Sequence, residues 1–443
     1  MSDHQRLSTE RDARNSAASG LSALNESQTA TADRTRLSGM TGVSGDLTMS
    51  RISGASTMSR MKYSIDGFSF HMTKELISHG SIGVVMKATN DTDGNQDKIV
   101  VKFTDDWTKN AALSKEIKIL QKLGQDESAK EYFPKIYCYV YLPEDNFMCS
   151  VMGRQSKTLH EHIQDQEDLG GMPISLHLIR CWLKQMCDAA VVLRSYRIRN
   201  PSLSTRNFML AGDYHETSRI VMIHLHDSIV TRTSTRTPDF KNLKKAEFTP
   251  IEVLLKAKNV DTDKMEEYSI AMIAMRLLTN KSFLMIRREE DFRMHILFKL
   301  LGDAPIEYKK VTTKWYEKTA NGEWERNMKY RTKYDDLEKG RKQMGIPSSF
   351  EEMVNFYPRF YSTSDEKKDL EALVHVIMVL LKYLPADRES IANVLQEPFF
   401  TLHGYTNEGY NTTARNALNK ELETIRSVYA AQRAKNELIR EAR

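Results

Sequence analysis

Four residues in the first third of the chain combine a turn suited to phosphate with two opposite charges. Gly80 and Gly83 lie in the segment I-S-H-G-S-I-G-V-V, and glycines, which lack a Cβ, let backbone amides approach phosphate oxygens. Lys102 follows the apolar run I-V-V, and Glu116 lies fourteen residues later in a segment with helical periodicity. These residues predict either a phosphate-binding site or a plain ion pair that holds the helix in place.

A later segment, residues 198–210, reads I-R-N-P-S-L-S-T-R-N-F-M-L and resembles the catalytic loop of protein kinases, H-R-D-x-K-x-x-N. The resemblance puts Asn207 at the asparagine that binds the second magnesium ion, and it puts Ser202 at the catalytic aspartate. That aspartate accepts the hydroxyl proton of the substrate, and a serine hydroxyl is far too weak a base for this near neutral pH. Losing a positioned base costs roughly 10²–10⁴-fold in rate. No catalytic residue is therefore intact.

The glycine-containing segment resembles the glycine-rich loop of the same family, G-x-G-x-x-G-x-V, with Ser78 in place of the first glycine. The run I-V-V-K resembles the V-A-I-K strand, which puts Lys102 at the lysine that contacts the nucleotide phosphates and Glu116 at its helix partner. Val100 replaces a small alanine over the adenine, and its added bulk weakens ATP binding. The resemblance implies that ATP is held by Gly80, Gly83, Val85, Lys102 and Glu116.

Residues 220–229 alternate like a β-strand and contain H-D-S-I, which resembles the start of the magnesium-binding D-F-G segment. We align Asp227 with the aspartate of that segment, so that Asp227 and Asn207 become candidate magnesium ligands. A rival register places Leu225 there and removes the metal ligand. Asn207 also has the alternative of capping its own loop.

Three charged residues in the second half of the chain resemble structural positions of the family. The segment F-T-P-I-E-V-L-L contains Glu252 and resembles the A-P-E segment, while E-E-Y-S-I-A resembles the start of the central helix, with Glu266 in place of an aspartate. The closing segment contains Arg388, which the resemblance pairs with Glu252. Six landmarks thus occur in family order over roughly residues 65–402.

Two further segments indicate a branch of the family. Residues 292–305 resemble the insert of the CMGC group, and K-E-I-K-I-L-Q-K-L followed by Y-F-P suits the DYRK and pre-mRNA-processing kinase arm of that group. The arginine that characterises the activation segment of the group is absent, because Ala246 takes its place. The resemblance therefore does not carry over phosphotyrosine control or the substrate preference of the group.

The resemblance implies an α+β, bilobal protein-kinase-like fold with a small β-rich N-lobe and a mainly α-helical C-lobe. A chain of 443 residues has room for such a domain and for tails. The predicted parts are a Ser/Thr/Arg-rich tail over 1–62, an N-lobe over 63–152, a C-lobe over 153–405 with an insert over about 284–365, and a helical extension over 406–443.

The two ends of the chain differ from its middle. Residues 1–62 contain no Trp, Tyr, Phe or Pro, and we expect them to be disordered because they cannot bury enough apolar surface to offset chain entropy. Residues 412–443 lack Gly and Pro, and their apolar residues follow a 4-3-4 spacing: Leu418, Leu422, Ile425 and Tyr429. This spacing predicts a helix that packs either on the domain itself or, as a coiled-coil contact, on a partner.

Composition excludes several classes of protein. The net charge of +5 is mild and gives no signal for direct nucleic-acid binding. No run approaches 18 apolar residues and the N-terminus lacks an apolar signal region, so we expect neither a membrane span nor secretion. The four cysteines show no metal-ligand spacing and are typical of reduced thiols in a cytoplasmic or nuclear protein. His224 and His226 flank Leu225, which is more typical of a polar strand face than of a zinc site.

Taken together, these features predict a catalytically impaired kinase-like protein, a pseudokinase, that acts as a scaffold or allosteric partner of other proteins. Its cofactor is either ATP with magnesium or none. One alternative is a slow but genuine serine/threonine kinase in which Asp213, Glu216 or Asp227 replaces the missing base. The other alternative is a purely structural interaction protein with an occluded cleft. Protein partners are expected at the C-lobe, the insert or the tails.

Overall fold

The fold is known from a computed structural model of the chain. It describes residues 62–65, 67–91, 98–142, 147–168, 174–201, 203–211, 219–230, 248–254, 264–280, 290–312, 314–343, 345–356 and 364–401. The predicted tail (apart from Lys62) and the predicted helical extension lie outside the described residues, as do Ser202, Asp213, Glu216 and Ala246.

The described chain divides into two compact units. The first unit contains the described residues up to Lys157 together with 188–200 and 207–230, and the second unit contains the others. The chain is a mixed α and β protein, with a mainly antiparallel sheet in its N-terminal region and mainly helices later.

The first unit is built on a six-stranded antiparallel sheet in the order β1-β2-β3-β4-β6-β5. Its strands are β1 (Lys62–Ile65), β2 (Phe68–His79), β3 (Gly83–Asn90), β4 (Lys98–Thr104), β5 (Ile136–Leu142) and β6 (Phe147–Gly153). Side chains alternate between the two faces of each strand. In β4, Ile99, Val101 and Phe103 enter the apolar core of the sheet, which leaves Val100 and Lys102 on the opposite face.

One helix packs on this sheet. Helix α1 (Asn110–Leu123) follows a short 3₁₀ turn whose first amides are capped by Asp106, which accepts a hydrogen bond from the Thr108 amide at 2.8 Å. Leu113 and Ile117, four residues apart on one face, form a buried cluster with Ile82. Glu116 lies on the same buried face. The sequence therefore places a carboxylate beside the sheet face that carries Lys102.

Two short pairs of antiparallel strands also belong to the first unit. Strand β7 (Ile198–Arg199) pairs antiparallel with β10 (Ile229–Val230), and β8 (Phe208–Leu210) pairs antiparallel with β9 (Ile220–Met222). The Met222 amide donates to the Tyr132 carbonyl at 2.7 Å, which attaches this region to the segment that follows α1. The predicted strand over 220–229 is therefore wrong over residues 223–228, where the chain turns, and Ile229 lies in the separate strand β10.

The second unit is mainly helical. Its elements are α2 (Leu159–Asp168), the first part of α3 (Leu176–Ser195), α4 (Ile251–Leu254), α5 (Met265–Thr279), α6 (Glu290–Leu301), α7 (Ile306–Lys309), β11 (Tyr316–Lys318), β12 (Trp324–Arg326), α8 (Met328–Gln343), α9 (Phe350–Phe356), α10 (Ser364–Leu380), α11 (Ile391–Val394) and α12 (Pro398–Thr401). Every residue of α5 is buried, which is typical of a helix at the centre of a core. None of the described helices is long and apolar enough to cross a lipid bilayer.

A buried ion pair holds two distant segments of the second unit together. Arg388 donates two hydrogen bonds to Glu252, at 2.8 and 2.5 Å, and both side chains are fully buried. Arg388 also donates to the carbonyls of Lys264 and Lys382, and its guanidinium lies 5.0 Å from the ring centre of Tyr268. The buried charges of Arg388 and Glu252 therefore have hydrogen-bond partners within the protein.

We predict that Arg388→Met destabilises the second unit by about 3–5 kcal/mol, because it leaves the buried Glu252 carboxylate without its counter-charge. The measurement is equilibrium unfolding in urea, followed by tryptophan fluorescence, since Trp182 and Trp315 are buried in this unit. Arg331→Met is the matched control: its ion pair with Glu325 is exposed, so its loss should cost under about 1 kcal/mol. Equal effects of the two substitutions would contradict the prediction.

Candidate functional site

The first unit contains a buried ion pair between its sheet and its helix. Lys102 of β4 donates from Nζ to both carboxylate oxygens of Glu116 in α1, at 2.9 Å to Oε2 and 3.1 Å to Oε1. The two side chains are only 6% and 4% exposed. Charges at this depth are tolerated only when they are paired, so the bonded pair fixes α1 against β4.

His226 adds a third charged or polar group to this pair. Its Nδ1 lies 3.3 Å from Oε2 of Glu116, and its Nε2 lies 3.3 Å from Oγ of Ser81 in the turn between β2 and β3. The imidazole is 6% exposed. It therefore lies between the carboxylate of the helix and the glycine-containing turn, where it contacts both. We refer to Lys102, Glu116, His226 and Ser81 as the Lys–Glu–His network.

The backbone that presents His226 is unusual. His224 adopts a left-handed conformation, with φ +60° and ψ +52°, which is uncommon for a residue other than glycine. It begins a 3₁₀ turn over Leu225–Asp227, closed by the Ser228 amide donating to the Leu225 carbonyl at 3.1 Å. Leu225 is fully buried and anchors the turn. The left-handed residue is the physical reason why the predicted strand stops here.

Both histidines face the ion pair. The His224 and His226 rings meet edge to face, with their centres 5.7 Å apart. Burial and the nearby Lys102 charge lower the pKa of His224 to about 4, so that its imidazole is neutral at physiological pH. Burial alone would raise the pKa of Glu116, but the Lys102 ammonium and the nearby His226 imidazole hold it below its ordinary value. Glu116 is therefore ionised.

The glycine turn is tightly closed. The Gly80 amide donates to the Gly83 carbonyl at 2.7 Å, so this amide is already satisfied inside the turn. Gly83 has φ +150°, and a Cβ at this position would meet the Phe103 carbonyl oxygen at 1.7 Å. Only glycine fits there, because the turn lies directly on β4. Val85 pairs with Lys102 across the β3–β4 ladder, so the predicted nucleotide-binding residues do lie close together.

The candidate magnesium ligands differ in burial. Asn207 is buried, and its backbone carbonyl accepts a hydrogen bond from the Ile223 backbone amide at 2.7 Å. The Asp227 side chain is 49% exposed at the end of the 3₁₀ turn, and its Oδ2 lies 3.5 Å from Nε2 of His226. Leu225, the rival for the D-F-G aspartate position, is in the core. Within the described part of the chain, no group of three or more His, Cys, Asp or Glu side chains is arranged to hold a metal ion.

The remaining predicted residues lie in the second unit. Glu252 and Arg388 are brought together as an ion pair, and Glu266 is fully buried at the start of α5. Ser81 and His226 are the residues that sequence reasoning missed. His226 lies in the segment I-H-L-H, which predicted an alternating strand with His226 on a polar face. The observed 3₁₀ turn buries His226 instead.

The two charged residues of the Lys–Glu–His network, Lys102 and Glu116, are paired with each other and need no ligand to balance their charges. Ser81 contacts Nε2 of His226, whose Nδ1 lies 3.3 Å from Glu116. No family model matches the chain, and no curated protein matches it significantly. Any functional assignment therefore depends on the residues and their geometry.

We predict that the stabilising effect of the Glu116 charge disappears in acid. Because the folded-state pKa of Glu116 is depressed, its contribution is fully present above the unfolded-state pKa of about 4.3 and is lost as the pH falls towards the folded-state value. The difference in unfolding free energy between the unmodified protein and Glu116→Gln should be constant above about pH 5 and shrink below about pH 4. Urea unfolding at several pH values measures this difference.

The control for this experiment is Glu127→Gln, which removes a carboxylate from an exposed pair with Lys130. Its effect should be small at every pH, since exposed pairs contribute at most about 1 kcal/mol. A difference for Glu116→Gln that grows on acidification would contradict the account of the site.

Proposed function

We propose that this chain is a protein-kinase-like protein that no longer transfers phosphate and that serves as a scaffold or allosteric partner of other proteins. The observation that carries the proposal is that His226, not a carboxylate, completes the bonded Lys102–Glu116 pair. An imidazole contributes no negative charge, and magnesium prefers oxygen ligands. The missing base at Ser202 adds to this argument from the sequence.

The proposed kinase-like nature has support at two levels. A β-rich first unit and a mainly helical second unit agree with the bilobal fold that the motifs imply. The bonded Lys102–Glu116 and Glu252–Arg388 pairs agree with the alignment of those motifs, because each pair joins residues far apart in the chain. The assignment to the DYRK and pre-mRNA-processing arm of the CMGC group depends on the sequence resemblance and is part of the proposal.

The role of nucleotide distinguishes the rival functions. A closed glycine turn and an imidazole against Glu116 favour a site that is complete without ATP or magnesium, as in the purely structural alternative. Asp227 is exposed enough to act as a substitute base in the slow-kinase alternative. Under the proposal, protein partners bind the second unit, its insert or the tails, with 412–443 as a coiled-coil candidate, in a cytoplasmic or nuclear setting.

We predict that the full chain transfers no γ-phosphate from ATP to a generic protein substrate above the background of Lys102→Met. If ATP raises the melting temperature, the rise should be equal with and without magnesium, because imidazoles rather than a carboxylate face the ion pair. A ligand present at 100 times its dissociation constant adds about 2.7 kcal/mol of stability, which a thermal-shift titration detects readily.

Lys118→Met is the matched control, since Lys118 is exposed on the same helix that carries Glu116. It should leave the melting temperature and any nucleotide response unchanged. Magnesium-dependent transfer that is lost in both Lys102→Met and Asp227→Ala would overturn the proposal and establish the slow kinase. Restoration of transfer by Ser202→Asp would show instead that the base alone had been lost and that the metal site is intact.

A further inference from the structure

A surface of the insert exposes apolar side chains among lysines. Ile306, Val311 and Met328 are 45%, 43% and 63% exposed, which is unusual for side chains of this size. Lys310 precedes Val311 and Lys329 follows Met328 directly in the chain. We define the insert patch as Ile306, Lys310, Val311, Lys314, Met328 and Lys329.

Hydrogen bonds bring the two halves of the insert patch together. The Lys310 amide donates to the Ile306 carbonyl at 3.1 Å, so both residues lie on one turn at the end of α7. Asn327 joins the segment that follows this turn to the start of α8: its side-chain amide donates to the Lys314 carbonyl at 2.6 Å, and its backbone amide donates to the Trp315 carbonyl at 2.9 Å. Met328 and Lys329, which follow Asn327 directly, therefore lie beside Lys314.

The patch has a rigid foundation. Trp315 is buried beneath it, and its indole nitrogen donates to Asp291 at 3.1 Å. Asp291 also holds Lys314 at 3.1 Å and Lys333 at 2.8 Å. The side chain of Asn327 caps α8 by accepting a hydrogen bond from the Tyr330 amide at 2.9 Å. A partner would therefore meet a preformed surface and lose little free energy to ordering it.

Two lysines of the patch lie outside the ion pairs of this region. Between residues 306 and 333 there are eight Lys and Arg against four Asp and Glu, and five of the eight form ion pairs: Lys309, Lys314, Arg326, Arg331 and Lys333. Lys310 and Lys329 are exposed, and neither makes an ion pair with any residue that the structure describes. Lys314 shares Asp291 with Lys333. The acidic residues nearest in the chain are Glu307 for Lys310, Glu317 for Lys314 and Glu325 for Lys329.

We propose that the insert patch binds an acidic protein segment that carries apolar side chains. The apolar side chains of such a segment cover Ile306, Val311 and Met328, and its carboxylates face Lys310 and Lys329. Apolar anchors within a rim of complementary charge are the usual composition of a specific docking surface. This inference deepens the proposed function, because it names the docking surface of a protein that is proposed to act by binding.

The test uses the full chain and a short labelled peptide in which glutamates alternate with leucines. Fluorescence anisotropy should show binding that weakens as salt rises. The double variant Lys310→Glu, Lys329→Glu should weaken binding at least about tenfold, because two attractive contacts become repulsive. Met328→Ser should weaken it several-fold through lost apolar contact. All the altered side chains are exposed, so melting temperatures should stay within about one degree.

The matched control is Lys339→Glu, Lys342→Glu, which makes the same charge change at exposed positions near the far end of α8. It should bind the peptide as the unmodified chain does. Absence of peptide binding, equal binding by the patch variant, or equal weakening in the control variant would each overturn the insert patch. Equally tight binding of a lysine–leucine peptide would also overturn it.

Failure of this inference and failure of the proposed function give different results. Magnesium-dependent phosphoryl transfer with peptide binding intact would sink the proposed function and keep the patch as a docking site of an enzyme. Lys118→Met, at an exposed position of α1 in the first unit, should leave peptide binding unchanged.

Discussion

The buried ion pair between Lys102 and Glu116 is the contact on which the first unit depends. It joins a central strand of the sheet to the helix α1, and its burial makes any unpaired state costly. The glycine turn and the 3₁₀ turn lie next to this pair. His226 of the 3₁₀ turn lies close to Glu116, and Ser81 of the glycine turn contacts His226. The strained backbone of His224 is maintained by the same packing. The site therefore stabilises the fold of the first unit.

The second unit contains a buried ion pair of its own. Arg388 and Glu252 are fully buried, and carbonyl acceptors satisfy the remaining donors of the guanidinium. Under the proposed kinase-like function, a chain with these two pairs and a serine at the position of the catalytic base keeps the residues that position the backbone and lacks the residue that accepts the proton. This contrast agrees with a protein that works through its surfaces. The insert patch is the surface for which the exposed side chains and the charge both indicate a partner.

The sequence was informative where its segments resemble protein-kinase motifs. That resemblance suggested the Lys102–Glu116 and Glu252–Arg388 pairs, which the structure brings together. Alternation failed after Met222, because a left-handed residue such as His224 leaves no mark in hydrophobic periodicity. The sequence did not predict the insert patch, since periodicity does not show that Met328 is exposed or that Asn327 bonds to Lys314.

The central claim is that the Lys102–Glu116 pair is complete without nucleotide, and a double-mutant cycle tests it most directly. Lys102→Met, Glu116→Gln and the double variant are unfolded in urea without ATP and again with magnesium and ATP. The account predicts an interaction free energy of about 2–3 kcal/mol in both conditions. A coupling near zero without nucleotide, which appears only when magnesium and ATP are added, would contradict it and indicate a nucleotide site that the ligand itself assembles.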